Sequence, residues 1–300
     1  MDYIKILKKM GKNSNHVFYK GAHILTKKLF ILKEHKKSIL EEGIPAAAIR
    51  EISLLKELKH PNIISLQNIF VNAVTVTLSF EYIPMDLKTY MIRLPKDFVF
   101  PQAVIQSYLY QIASGIAHCH QRRIFHRNLC PQNILIKANG VIKITEFEAA
   151  RSFEITSKVY THNVTMLWYR SPEILLGTSQ YSPKIDIWSM GCIFAELFQR
   201  KPIFNGDSEI GQLHKIAEIL GAPDKNQWPE VVSLPYYFAG LRINTQNRLK
   251  MQIKNAKNIE IYLMKQMLKC NPMNRISAKG ILDHQYFSNF NKNLRIPTII

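Results

Sequence analysis

Apolar residues in the first eighty positions fall in short alternating runs, of which Val74 to Phe80 is the clearest, and that period of two predicts strands. One stretch breaks the pattern. From Ala46 to Leu58 the apolar residues Ile49, Ile52, Leu55 and Leu58 repeat at helical spacing, which predicts a single helix among the strands. Beyond residue 83 the helical period dominates: Ala103 to Arg122 and Ile185 to Gln199 carry apolar faces, and Pro and Gly mark the joints. The pattern therefore predicts an α+β chain, with a small β-rich part over 1–83 ahead of a larger, mainly helical part over 84–300. It contains no internal repeat and no low-complexity linker.

Composition agrees with a packed interior, since 300 residues at 47% hydrophobic content can bury a large core. The four cysteines, Cys119, Cys130, Cys192 and Cys270, have no paired spacing. That argues against a disulfide framework or a zinc site and fits a reducing compartment, so the nucleus and cytoplasm are expected. Lysines crowd the N-terminus too closely for a signal peptide, and no run approaches the roughly eighteen apolar residues of a membrane span. Neither secretion nor membrane insertion is expected. The formal charge is +18, and residues 1–37 hold ten lysines against two acidic residues. Such a field attracts nucleic acid or acidic proteins, but the lysines are not interleaved with a nucleic-acid motif, and a solvated basic surface is the preferred reading.

The stretch Gly43-Ile44-Pro45-Ala46-Ala47-Ala48-Ile49-Arg50-Glu51-Ile52 resembles the cyclin-binding helix of the cyclin-dependent kinases, whose hallmark reads P-S-T-A-I-R-E. Further motifs follow in that family's order and spacing: His126-Arg127-Asn128, Glu146-Phe147-Glu148, Tyr160-Thr161-His162, Trp168 to Glu173, Asp186 to Ser189, and Gly206 to Ile210. The resemblance covers essentially the whole chain and is closest to the mitotic cyclin-dependent kinase. It implies one bilobal protein kinase domain over about 3–287, with an N-lobe (1–83) and a C-lobe (84–300).

Kinase chemistry is mostly positioning and charge neutralisation, so each part can be checked against the residues present. The family's lid, G-x-G-x-x-G, is represented by Gly11, Asn13 and His16, and two of its three glycines are gone. The resemblance implies an ion pair between Lys33 and Glu51. It also implies a nucleotide site formed by Gly11, Val17, Ile31, Lys33, Phe80, Glu81, Ile83, Asp86 and Leu135. Ile31 stands where the family has a small alanine, which narrows the adenine slot. In the catalytic loop an amide, Asn128, replaces the carboxylate that accepts the hydroxyl proton, and an amide cannot act as a base near neutral pH. Cys130 replaces the loop lysine, and Met166 replaces a threonine that hydrogen-bonds to this loop. A nucleophilic or redox role for Cys130 lacks both a CxxC spacing and a cationic neighbour. Of the two metal ligands, Asn133 is kept, while Glu146 replaces an aspartate and is one methylene too long for the near-octahedral geometry that magnesium demands. Glu148 replaces a glycine and adds negative charge where the triphosphate would lie. ATP and Mg2+ binding is therefore expected to be weakened, and no cofactor beyond this nucleotide and its metal is foreseen.

The regulatory motifs are better kept. Thr161 matches the family's activating phosphosite, and Arg50, Arg127 and Arg151 match the arginines that collect its phosphate, so an upstream activating kinase is an expected partner. Pro45, Ile49 and Arg50 fall on the cyclin-binding helix, which makes a cyclin the main expected partner. Ser14 and Asn15 replace the family's inhibitory threonine and tyrosine. A Cks-type adaptor would dock at Gly206 to Leu213, although Gly211 replaces an acidic residue there. Glu173 and Arg275 are expected to pair. Three readings follow: a cyclin-binding pseudokinase acting as scaffold or decoy in cell-cycle-type regulation, a slow serine/threonine kinase using Glu146 and Asn133 for metal, and a basic nucleic-acid-associated protein.

Overall fold

The computed structural model describes residues 3–12, 16–36, 44–153, 165–223, 225–238, 247–292 and 296. Alternating sequences pair first: β1 (Ile4–Lys12), β2 (His16–His23), β3 (Leu29–Lys36), β4 (Leu66–Val71) and β5 (Thr75–Glu81) form one antiparallel sheet in the order β1-β2-β3-β5-β4. Its central strands bury Leu32, Val76 and Leu78 completely, whereas β1 is exposed beyond Ile4. Between β3 and β4 lies helix α1 (Ala46–Glu57).

Helix α1 ends one residue before the predicted limit, with the Leu58 amide donating to Leu54 O at 2.8 Å. Its face also differs from the apolar stripe. Ala48, Glu51, Leu54 and Leu55 are buried, while Ile49 is 53% exposed. The physical reason is electrostatic, because Glu51 turns inward to meet Lys33 and the helix presents that side to the sheet.

The rest of the chain is mainly helical: β6 (Met85–Asp86), α2 (Leu87–Arg93), α3 (Gln102–Gln121), β7 (Ile124–Phe125), β8 (Ile134–Ile136), β9 (Ile142–Ile144) and β10 (Arg151–Ser152) come first. There follow α4 (Pro172–Leu175), α5 (Lys184–Gln199), α6 (Glu209–Leu220), α7 (Leu249–Gln252), α8 (Asn258–Met267) and α9 (Ala278–Leu282). Helices α3 and α5 start within one residue of expectation. The small sheets β6-β8-β9 and β7-β10 were not predicted, because strands of two or three residues carry no readable period. No helix among the described residues is long and apolar enough to cross a membrane.

A buried polar network ties the segment between α1 and β4 to α3 and β9. Asn62 donates to Gln111 Oε1 (2.9 Å) and Ile142 O (3.0 Å), and Gln111 in turn donates to Gly140 O (3.0 Å). Gly115 lets α3 approach this network, since a Cβ there would lie 2.8 Å from Ile144 Cδ1. In the lower half, Arg275 grips Glu173 with two parallel hydrogen bonds of 2.5 and 2.6 Å and lies over the Trp188 ring.

His60 sits at the same junction. Its Nδ1 accepts from the Asn62 amide (3.0 Å), and its Nε2 meets Ser114 Oγ (3.1 Å). Burial, then the neighbouring His118, Lys143 and Arg122, pull its pKa down to about 4. The folded protein therefore refuses a proton that the unfolded chain takes near pH 6.5, so this contribution is complete above that pH and is lost as the pH falls towards 4. Melting curves across that window should show the Tm falling on acidification. His60→Asn, whose Oδ1 can still accept from Asn62, should reduce the fall by about 2–4 °C; parallel curves would contradict the assignment.

Candidate active site

Lys33 and His35 are two residues apart on β3 and so share one face of the sheet, and β2 sets His16 directly opposite His35. Both imidazoles and the lysine are buried (exposures of 3, 1 and 1%). Into this group reach α1, with Glu51, and the turn after β9, with Glu146 and Glu148. Lys33 Nζ lies 3.0 Å from Glu51 Oε2, 3.2 Å from Glu146 Oε2 and 3.5 Å from Glu148 Oε2. His16 Nδ1 is 3.3 Å from Glu148 Oε2, and His35 Nε2 is 3.8 Å from Glu51 Oε2.

The electrostatics follow from crowding three carboxylates round one ammonium. Burial works against the charge of Lys33, but Glu146, Glu51 and Glu148 hold its pKa well above the ordinary lysine value. Burial pushes Glu51 up, with Lys33 opposing it and the other two carboxylates adding to the rise. Glu148 goes the other way: burial opposes its charge, but Lys33, joined by His16 and His35 when these are protonated, outweighs burial and keeps it below the usual carboxylate range. Burial and the Lys33 charge lower His16, and they lower His35 to about 4, so both rings are neutral at physiological pH.

The loop below is braced by Asp186, whose oxygens accept from the backbone amides of His126 (2.8 Å) and Arg127 (2.9 Å) and meet His120 Nε2 at 2.9 Å. Burial opposes the charge of Asp186, and these donors keep its pKa low. His126 Nδ1 accepts from the Asn128 amide (3.2 Å), which leaves Nε2–H to donate to Thr145 O (2.8 Å). Asn133 donates its side-chain amide to Asn128 O at 2.8 Å. This ordered loop thus presents an amide at position 128. Cys130 is fully buried, and burial pushes its thiol up to about 12, which removes it as a nucleophile at neutral pH. Glu146 adopts a left-handed backbone (φ 64°), and Phe147 is buried edge-on to the His126 ring.

Arg127 donates to Ala149 O (2.7 Å) and Tyr181 Oη (2.8 Å), and Arg151 donates to Ala150 O (2.9 Å). Burial and the charge of Arg127 lower Arg50; burial, Arg127 and Arg50 lower Arg151 to about 10. Three mutually repelling guanidinium groups are therefore gathered in one place. Asn13, Ser14, Asn15 and Thr161 lie outside the described residues.

Among the residues expected at a nucleotide, Val17, Phe80 and Ile83 are buried, and Ile31 faces Phe80 across β3 and β5. Leu135 lies opposite Asp86 in the small sheet, and Asp86 caps α2 by accepting from the Thr89 amide at 2.8 Å. Glu81 directs its carboxylate at Lys137 and at Lys143, 3.3 Å away. Burial opposes its charge, but both lysines lower its pKa. A Cβ added at Gly11 would meet no atom within 4 Å, so packing does not require glycine there. Pro45 caps α1, its carbonyl accepting from the amides of Ala48 and Ile49.

A five-stranded antiparallel sheet with one helix, set before a helical region and sharing a Lys33–Glu51 pair and a braced His126–Asn133 loop with it, is the architecture of a protein kinase. The protein kinase domain family matches residues 4–287, and the chain belongs to that family. Protein kinase domains generally use ATP and Mg2+, and the residues here fit that pair only in part. Apolar residues suited to a purine are present. On the phosphate side, however, Lys33 is already held by Glu146 and Glu148 as well as Glu51, and this excess of negative charge opposes a triphosphate.

His35 was not singled out from sequence. The available signal was its place two residues after Lys33 on a strand, which puts both side chains on one face.

Proposed function

We propose that this chain is a cyclin-dependent-kinase-like pseudokinase that serves as a cyclin-binding scaffold or decoy in cell-cycle-type regulation, in the nucleus and cytoplasm. The observation that carries the reading is the capture of Lys33 by Glu146 and Glu148, beside a loop that offers Asn128 in place of a base. The partner-facing side supports it too. Ile49 projects from α1 into solvent as an apolar knob suited to a partner's groove, and burial of such a knob is a usual source of binding energy. Arg50, Arg127 and Arg151 form a site for a phosphate on Thr161, added by an upstream kinase. A Cks-type adaptor would dock at Gly206 to Leu213, where α6 is capped by Ser208, which accepts from the Gly211 amide at 3.0 Å.

Gel filtration of the purified chain with a mitotic cyclin should give a one-to-one complex; separate elution of the two would count against the scaffold reading. The second reading, a slow serine/threonine kinase, draws support from the Lys33–Glu51 contact and the buried Phe147, both of which a working site needs.

A further inference from the structure

The group round Lys33 contains more than a weakened phosphate site. One ring nitrogen each from His16 and His35 and one carboxylate oxygen of Glu148 all lie within 4.8 Å of one another. The histidines come from neighbouring strands and the carboxylate from the turn after β9, so three separate elements converge. We propose that His16, His35 and Glu148 bind a divalent transition-metal ion, Zn2+ being the natural candidate, which clamps the start of β2 and the end of β3 to the Glu146–Glu148 turn.

Four observations carry this. His35 Nε2 is buried without a hydrogen-bond partner, and its residue is 1% exposed; such an atom is costly to leave unmatched, and a bound metal would satisfy it. The 3.3 Å between His16 Nδ1 and Glu148 Oε2 is the ligand–ligand edge of a tetrahedral site whose bonds are about 2.0–2.1 Å. The charges also balance. Lys33 alone faces the carboxylates of Glu51, Glu146 and Glu148, and a divalent cation brings three positive charges against three negative ones. With the ion on Glu148, Lys33 keeps its shorter contacts to Glu51 and Glu146. Finally, two imidazoles and one carboxylate are a donor set that suits zinc and its neighbours, whereas magnesium and calcium prefer all-oxygen shells. Three protein ligands leave a fourth position for water or another donor. This site is distinct from the Asn133–Glu146 pair expected for magnesium, and it does not rest on the loss of phosphotransfer.

The test uses the full chain stripped of metal by a chelator. Zn2+ is titrated in competition with a chromophoric chelator, and Co2+ is added separately to report coordination by its visible absorption. One equivalent of each should bind, with the stronger Co2+ bands of a four-coordinate site. His35→Asn and Glu148→Gln should each weaken Zn2+ binding by at least about tenfold and flatten the Co2+ spectrum, as expected when one of few ligands is lost. His214→Asn, away from the cluster, should change neither. Absence of stoichiometric binding by the unaltered protein would overturn the proposal. So would binding that survives both substitutions, or binding lost in His35→Asn but kept in Glu148→Gln. Should His35→Asn fail to fold by circular dichroism, Glu148→Gln, at a half-buried residue, decides the matter alone.

Discussion

Asn128→Asp, Glu146→Asp and Glu148→Gly made together should raise phosphotransfer to a histone-type peptide by at least about 10² over the unaltered chain, both assayed in the presence of a cyclin. A positioned general base supplies about 10²–10⁴, but only once phosphate and metal are in place beside it. The other two changes act on charge. Glu148 Oε2 lies 3.5 Å from Lys33 Nζ, where it competes with a phosphate for the same cation. A like-charge pair about 4 Å apart opposes binding by roughly 4 kcal/mol at an effective dielectric constant near 20, so removing the Glu148 carboxylate should tighten ATP binding measurably. Shortening Glu146 to aspartate withdraws a second carboxylate from Lys33 and restores a ligand of the length magnesium accepts. Because residues of one catalytic unit do not add, Asn128→Asp alone should recover far less than the triple variant. A triple variant that folds, binds cyclin and still transfers nothing would place the main defect in Cys130, Met166 or the lid, and not in the carboxylates round Lys33.

On the proposed docking of a cyclin against α1, Ile49→Asp should weaken cyclin binding by at least about thirtyfold while leaving the Tm unchanged. The magnitude is that of a hot-spot side chain, about 2 kcal/mol, buried at the centre of an interface. Stability should be spared because Ile49 is 53% exposed and the packed face of α1 consists of Ala48, Glu51, Leu54 and Leu55. Binding equilibria measured by calorimetry decide it, and unchanged affinity would remove the helix from the interface.

The helix itself shows what could be read from sequence. Its position and length followed from apolar spacing, and its rotation only from the motif, which set Glu51 against Lys33 and Ile49 towards a partner. The apolar period alone groups Ile49 with the buried Leu55, because it does not register a buried charge pair. The long helices α3 and α5 were legible to within a residue, and the two- and three-residue strands were not. At the site, Lys33, Glu51, Asn128, Asn133, Glu146 and the three arginines could be named from motifs spread along the chain. What the motifs could not give was the company Lys33 keeps. That His16 stands across from His35, and that both face Glu148, depends on strand register and on the turn after β9. The bracing of His126 and Arg127 by Asp186, about sixty residues away, is tertiary information in the same way.

The central claim, that this kinase fold holds partners without moving phosphate, meets its most direct test in radiolabelled ATP turnover by the purified cyclin complex, with Lys33→Ala as the control. Incorporation into peptide should be indistinguishable between the unaltered chain and Lys33→Ala. Robust incorporation by the unaltered chain that Lys33→Ala abolishes would contradict the claim.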